Sequence, residues 1–150
     1  MIDDLYSAKI LKLAANMPLA GRLDAPQGSA EKIAKLCGSR VTVDVALDDE
    51  GRVARFAQDV KACALGQASA AVLGASVLGA DLAEIEMAAN GLRAMLREGG
   101  EPPVGRFGDL SMLEPVKAYP ARHASTLLAF EAAAEAVRQA QTRTSRAGAA

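Results

Sequence analysis

Two thiols and one imidazole are the side chains of this 150-residue chain best suited to hold a soft metal or to carry sulfur. Cys37 stands in Leu36-Cys37-Gly38-Ser39, and Cys63 follows the segment Asp59-Val60-Lys61-Ala62. Thiolate sulfur is a soft donor matched to zinc, iron and iron–sulfur clusters. A helix start favours an anion, so a cysteine there is a sound thiolate ligand or sulfur acceptor. His123, the one histidine, can add an imidazole nitrogen. Ser125, two residues further on, is a poor ligand because its hydroxyl stays protonated near neutral pH; its plainer role is to help cap the helix it begins. Two thiolates alone do not complete a four-coordinate metal site, and two thiolates with one imidazole leave a position open, which suits a labile or transferable ion. Against this stands a structural reading, since free cysteine is among the most buried residue types, and a single histidine near a helix start is often a surface residue.

The elements that must position these residues are legible in the apolar pattern. Leu5, Ile10, Leu11 and Ala14 recur at helical spacing over Asp3 to Ala15. Asn16 to Ser29 holds Pro18, Gly21, Pro26 and Gly28 and reads as loop. Arg40 to Leu47 alternates, with Val41, Val43, Val45 and Leu47 on one face and Thr42, Asp44 and Ala46 on the other, which predicts a half-buried strand. Asp48 to Gly51 is a solvated turn, and Arg52 to Ala57 returns as the partner of a β-hairpin. Ser29 to Leu36 is a third, irregular strand. From Cys63 the pattern turns helical and closes at Gly79. Asp81 is the expected N-cap of the next helix, with Glu84 in capping-box position and Gly99-Gly100 at its end. Pro102, Pro103, Gly105 and Gly108 mark a loop. Leu110 to Leu113 reads as one helical turn, and a last helix spans Arg122 to Arg143. Thr144 to Ala150 reads as a disordered tail. The layout is α+β: a small antiparallel sheet of about three strands packed against several helices.

Composition narrows the function classes. Apolar residues form 51% of the chain but aromatics only 3%, so the core must be built from Ala, Leu and Val. The net charge of −1 leaves no basic excess to neutralise phosphates, and nucleic-acid binding is not expected. The apolar stretch from Ala70 to Ala80 is broken by Gly74, Ser76 and Gly79 and is too short to span a bilayer. The opening Met-Ile-Asp-Asp has no basic-then-apolar leader pattern. The expectation is a cytoplasmic setting with reduced thiols. There is no nucleophile elbow, P-loop or dinucleotide-binding glycine fingerprint, so no catalytic residue is assigned and a self-contained enzyme is not expected. Lys32, Lys35, Arg40, Arg52 and Arg55 are read as a basic patch near the sheet or as an ordinary solvated face.

The order of motifs resembles the IscU, NifU N-terminal and SufU family of iron–sulfur cluster scaffolds. Gly28-Ser29 followed by Cys37-Gly38 is similar to the family's Gly-Ser and Cys-Gly-Asp segments. Asp49-Glu50-Gly51 with Ala54-Arg55-Phe56 looks like its hairpin. Cys63 with Ala68-Ser69-Ala70 looks like its second cysteine and the helix that follows. Val116, Tyr119-Pro120, Arg122 and Leu128-Ala129-Phe130 are similar to the SufU-like stretch around the third cysteine. The likeness runs from about Tyr6 to Val137. The chain departs from the pattern at Ser39, where the family has aspartate, and at Ser125, where it has the third cysteine. Two extra residues also separate the second strand from Cys63.

The resemblance implies a single scaffold domain over residues 1–143. It implies that Cys37 and Cys63 bind iron or a transient 2Fe–2S cluster, or zinc; His123, which sits on no family ligand position but lies two residues before Ser125, is read as a compensating metal ligand. Expected partners are a cysteine desulfurase and apo iron–sulfur proteins, with a homodimer as an open option. The competing expectation is a divergent interaction protein of the same fold that has lost cluster binding, for which Ser39 and Ser125 are the reason.

Overall fold

The valine alternation of the central strand organises the molecule. A computed structural model describes residues 7–35 and 38–149, with side chains described as far as residue 143. Three strands form one antiparallel sheet in the order β1-β2-β3: β1 Gly28–Ala34, β2 Ser39–Leu47 and β3 Val53–Lys61. Val41, Val43 and Val45 are fully buried on one face. Their cross-strand partners include Ala30 on β1 and Phe56 on β3. Against this face lies the long helix α4, His123–Ala149. Gly28 is required there, because a Cβ at this position would overlap the Ala136 carbonyl.

The other helices complete one side of the sheet. Helix α1, Ala8–Ala15, buries Ile10 and packs on α2, Ala64–Ser76. Helix α2 in turn contacts α4 and β3. Helix α3, Leu82–Glu98, starts with the expected capping box: Glu84 N–H donates to Asp81 Oδ1 at 2.9 Å and Asp81 N–H donates to Glu84 Oε1 at 3.3 Å. It ends at Gly99, whose φ of 68° is the left-handed conformation glycine adopts without strain. A 3-10 segment, Gly105–Ala118, with a kink at Phe107, and a short 3-10 turn, Pro120–Arg122, lead into α4. Phe107 meets Phe130 edge to face with centroids 5.3 Å apart.

The α+β expectation is met, with several boundaries revised. β1 is a regular strand, and β3 runs four residues past Ala57, to Lys61. The single turn expected at Leu110 to Leu113 is part of the longer 3-10 segment. The backbone of α4 is helical to Ala149, beyond the boundary expected at Arg143; no proline interrupts this stretch and Gly148 stands only in its last turn. The expected start of α1 at Asp3 lies outside the described residues.

The largest revision concerns the outer face of β2. Thr42, Asp44 and Ala46 were expected in solvent, yet all three are buried. The cause is a strap, residues 19–27. It bonds to the free edge of β3, where Gln58 N–H donates to Leu19 O at 3.0 Å and Gly21 N–H to Gln58 O at 2.9 Å. It then passes over Asp44 and enters β1. Asp44 accepts from Arg22 Nε at 2.7 Å and Nη2 at 3.2 Å, from Leu23 N–H at 3.1 Å, and from the Ser29 hydroxyl at 2.6 Å. Burial pushes the Asp44 carboxyl up, but the Arg22, Ser29 and Leu23 hydrogen bonds outweigh it and hold the group below the usual carboxylate range. Leu19 (φ 58°) and Ala25 (φ 49°) adopt left-handed backbone within this strap, a conformation that costs a non-glycine residue roughly 1 kcal/mol or more.

Candidate functional site

Strand register brings Ser39 and Cys63 to one end of the sheet. Ala34 of β1 pairs with Ser39 of β2, so the connection whose sequence carries Cys37 closes at this end. Arg40 pairs with Lys61, the last residue of β3, and Cys63 lies two residues further on. Cys63 is the N-cap of α2, with extended backbone and no side-chain bond to the helix's own N–H groups. It is half-buried. The thiol therefore sits beside the unpaired N–H groups that open a 13-residue helix.

The start of α4 comes to the same place. Cys63 Sγ lies 3.4 Å from Ser125 Oγ, and the Ser125 side chain is fully buried. Ser125 does not cap its helix as expected. Its hydroxyl donates back to Arg122 O at 3.2 Å, and the neighbouring Thr126 hydroxyl donates to the same carbonyl at 2.8 Å. Because Thr126 also covers that carbonyl, the Ser125 hydroxyl can turn toward the sulfur without leaving the Arg122 oxygen unpaired. The contact exists because residue 66 is glycine. A Cβ there would stand 2.8 Å from Ala62 Cβ and 3.0 Å from Ser125 O. Sequence reasoning missed Gly66; its only signal was a glycine three residues after the cysteine, on the turn that faces α4.

His123 is buried and not on the surface. Its Nε2 lies 3.0 Å from Val116 O and 3.2 Å from Lys117 O. Carbonyls only accept, so Nε2 carries the proton, and a ligand role would have to use Nδ1. The ring ties the end of the 3-10 segment to the first residue of α4. Ser39 is buried as the first residue of β2. Cys37 lies outside the described residues. Among the described residues no group of three or more His, Cys, Asp or Glu side chains is close enough to hold a metal ion. Also among them, no helix is long and apolar enough to cross a membrane.

Comparison with known proteins accounts for this arrangement. The family model described as the NifU-like N-terminal domain matches residues 5–146. The chain belongs to that family. The N-terminal part of a nitrogen-fixing NifU-like protein from Brucella abortus, solved by crystallography, shares 48% identity and superposes with a TM-score of 0.91, covering 94% of this chain and 97% of that one. A protein of Fervidobacterium islandicum AW-1, assigned as the iron–sulfur cluster assembly scaffold of the SUF system, superposes with a TM-score of 0.81 at 22% identity, covering 90% and 98%. At that identity the likeness shows the fold alone. No curated protein matches the chain. For the NifU-like domain, the α+β fold is thus shared nearly end to end, and the Cys63–Ser125 contact lies inside the matched region.

Proposed function

We propose that this NifU-like domain is an iron–sulfur cluster assembly scaffold or sulfur acceptor, with Cys63 and Cys37 as its working thiols. The observation that supports it best is the placement of Cys63. A half-buried thiol stands at a helix N-terminus, two residues beyond the end of β3, at the end of the sheet where Ala34 pairs with Ser39. Family membership supplies the role, and the helix start supplies the chemistry: a thiolate held there accepts sulfane sulfur or binds iron, a nascent 2Fe–2S cluster or zinc as cargo. His123 contributes through Nδ1, its Nε2–H being fixed by two carbonyls in the manner of a metal-ligating imidazole. A cysteine desulfurase would supply the sulfur and apo iron–sulfur proteins would receive the cluster. The setting is the cytoplasm, and the chain carries out no catalytic turnover of its own.

Anaerobic purification tests this reading, with iron, zinc and acid-labile sulfide measured per chain beside the Cys37→Ala/Cys63→Ala variant. Near-stoichiometric metal that disappears in the variant supports it, and sulfide with a charge-transfer spectrum identifies a cluster. Absence of metal and sulfide from the wild-type protein, even after reconstitution with iron and sulfide, contradicts it.

One observation favours a second reading, an interaction protein of the same fold without cargo. Ser125, where the resemblance to the family puts its third cysteine, is fully buried with its hydroxyl bonded inward. Desulfurase binding that survives loss of both thiols, without any metal on the wild type, would select that reading.

A further inference from the structure

Arg22, Arg40 and Arg52 lie along the sheet, and each is paired with a carboxylate: Asp44, Glu31, and Glu50 with Glu84. The basic patch expected there from sequence is thus partly neutralised. Lys9 and Lys12 on α1 are placed differently. They stand three residues apart, so they share one side of the helix, and both are exposed. Among the described residues, neither has a carboxylate within ion-pairing distance. Both border a groove of about 640 Å³ between α1, α2 and the 3-10 segment.

The lining below these lysines is apolar: Leu13, Pro18, Ala71, Ala75 and Met112. Pro18 seats directly on α2 because residue 74 is glycine; a Cβ there would stand 2.8 Å from the Pro18 carbonyl oxygen and 2.7 Å from Gln58 Nε2. Past Pro18 and Ala75 the apolar surface continues into a second hollow of about 630 Å³. Leu19 and Leu78 line it, 37% and 49% exposed. The two hollows share Pro18 and Ala75 and so form one trough over the second half of α2. Excess charge is confined to one end of it. Lys9, Lys12 and Asp109 border the first hollow, two cations against one carboxylate. At the other end Arg106 is neutralised by Glu84 at 2.9 Å.

We propose that this trough binds a free long-chain carboxylate, with its head at Lys9 and Lys12 and its chain running over Ala75 toward Leu19 and Leu78. Small-molecule sites combine an apolar lining with a few placed polar groups that fix orientation. An elongated apolar trough with surplus positive charge at one end matches an anion that carries its charge at one end of an apolar chain. An amphipathic helix carries charge along its length, and a second copy of the chain would bring like charge to the lysines. Ala75 and Cys63 lie about 18 Å apart along the helix axis. An occupied trough therefore leaves the thiol open, and the proposal stands apart from the cargo reading.

Calorimetric titration of the full chain with sodium laurate, kept below its micelle concentration, tests the proposal, with amide NMR shifts to locate the ligand. Butyrate and dodecyltrimethylammonium serve as controls for chain and charge. The variants are Lys9→Glu/Lys12→Glu and Ala75→Leu, each checked for fold by circular dichroism. Laurate is expected to bind once per chain and to shift the amides of Lys9, Lys12, Ala71 and Ala75. Butyrate, which lacks most of the chain, should not bind measurably, and dodecyltrimethylammonium should bind at least about tenfold more weakly. Charge reversal should weaken laurate by about tenfold or more. Ala75→Leu, a substitution between two good helix formers, should weaken it by narrowing the trough, and keeps the test valid if charge reversal impairs folding. Equal affinity for laurate and dodecyltrimethylammonium overturns the proposal, as does laurate affinity unchanged in the folded variants. Shifts confined to other parts of the chain overturn it too, as does binding to vesicles of anionic phospholipid without uptake of free laurate. A trough closed by a second copy, seen as a dimer that laurate does not dissociate, has the same consequence.

Discussion

The outer face of the sheet and its thiol end treat their polar groups in opposite ways. On the outer face, Asp44 is fully buried and receives four hydrogen bonds of 2.6–3.2 Å. At the thiol end, Cys63 is half-exposed, makes one 3.4 Å contact to Ser125, and caps its helix without a side-chain bond. In the first arrangement three bonds hold the strap to the sheet and the fourth ties β1 to β2. The second leaves the sulfur with few contacts to give up to a ligand. A buried charge tolerates no missing partner, whereas a thiol proposed to exchange cargo cannot be saturated from within.

Removing Asp44 should have the largest effect on stability. Asp44→Ala leaves the Ser29 hydroxyl and Leu23 N–H without their acceptor, and a loss of about 2–4 kcal/mol is expected in urea unfolding at neutral pH. Metal and sulfide content per folded chain should not change. Because the folded Asp44 carboxyl is held below its usual range, its contribution is full above the ordinary aspartate pKa of about 3.9 and is lost as pH falls through the lower folded value. The wild type should therefore lose stability on acidification below about pH 4 more steeply than Asp44→Ala. Equal slopes would show that the Asp44 network contributes little.

A smaller effect on stability but a larger one on cargo is expected at Gly66. In Gly66→Ala the new methyl presses on Ala62 and on the Ser125 carbonyl, and crowding of this kind costs about 1–3 kcal/mol. It should push the start of α4 away from Cys63 and lower sulfide and metal retention in the folded fraction. Retention at the wild-type level would mean that the Cys63–Ser125 approach is incidental. Ser125→Ala should change stability least, by under about 1 kcal/mol, since Thr126 still covers the Arg122 carbonyl. If it unfolds the domain, the comparison between a saturated face and an open one fails.

Much of this was legible in the sequence where period and capping carry the signal. The valines of β2 and the Asp81–Glu84 capping box announce their elements locally. β1 was harder, because Gly28, Ala30, Glu31 and Lys32 have low strand preference and owe their conformation to pairing with β2. The strap was not legible. Its course depends on left-handed backbone at Leu19 and Ala25 and on a backbone N–H of Leu23, none of which leaves a residue-type signature. For the same reason Asp44 looked like a solvated strand residue. The site was readable as a set of candidates from the order of its motifs. The nearness of Ser125 to Cys63 and the burial of His123 depend on how α4 crosses the sheet, and periodicity cannot supply that.

Cys63 is proposed above to receive sulfur. The most direct test is intact-mass and peptide mass spectrometry of the domain after incubation with a cysteine desulfurase and cysteine, without reductant. The expected result is a mass gain of one sulfur atom that maps to the peptide carrying Cys63 and is absent from Cys63→Ala. An unmodified Cys63 under conditions in which the desulfurase itself carries persulfide would contradict it.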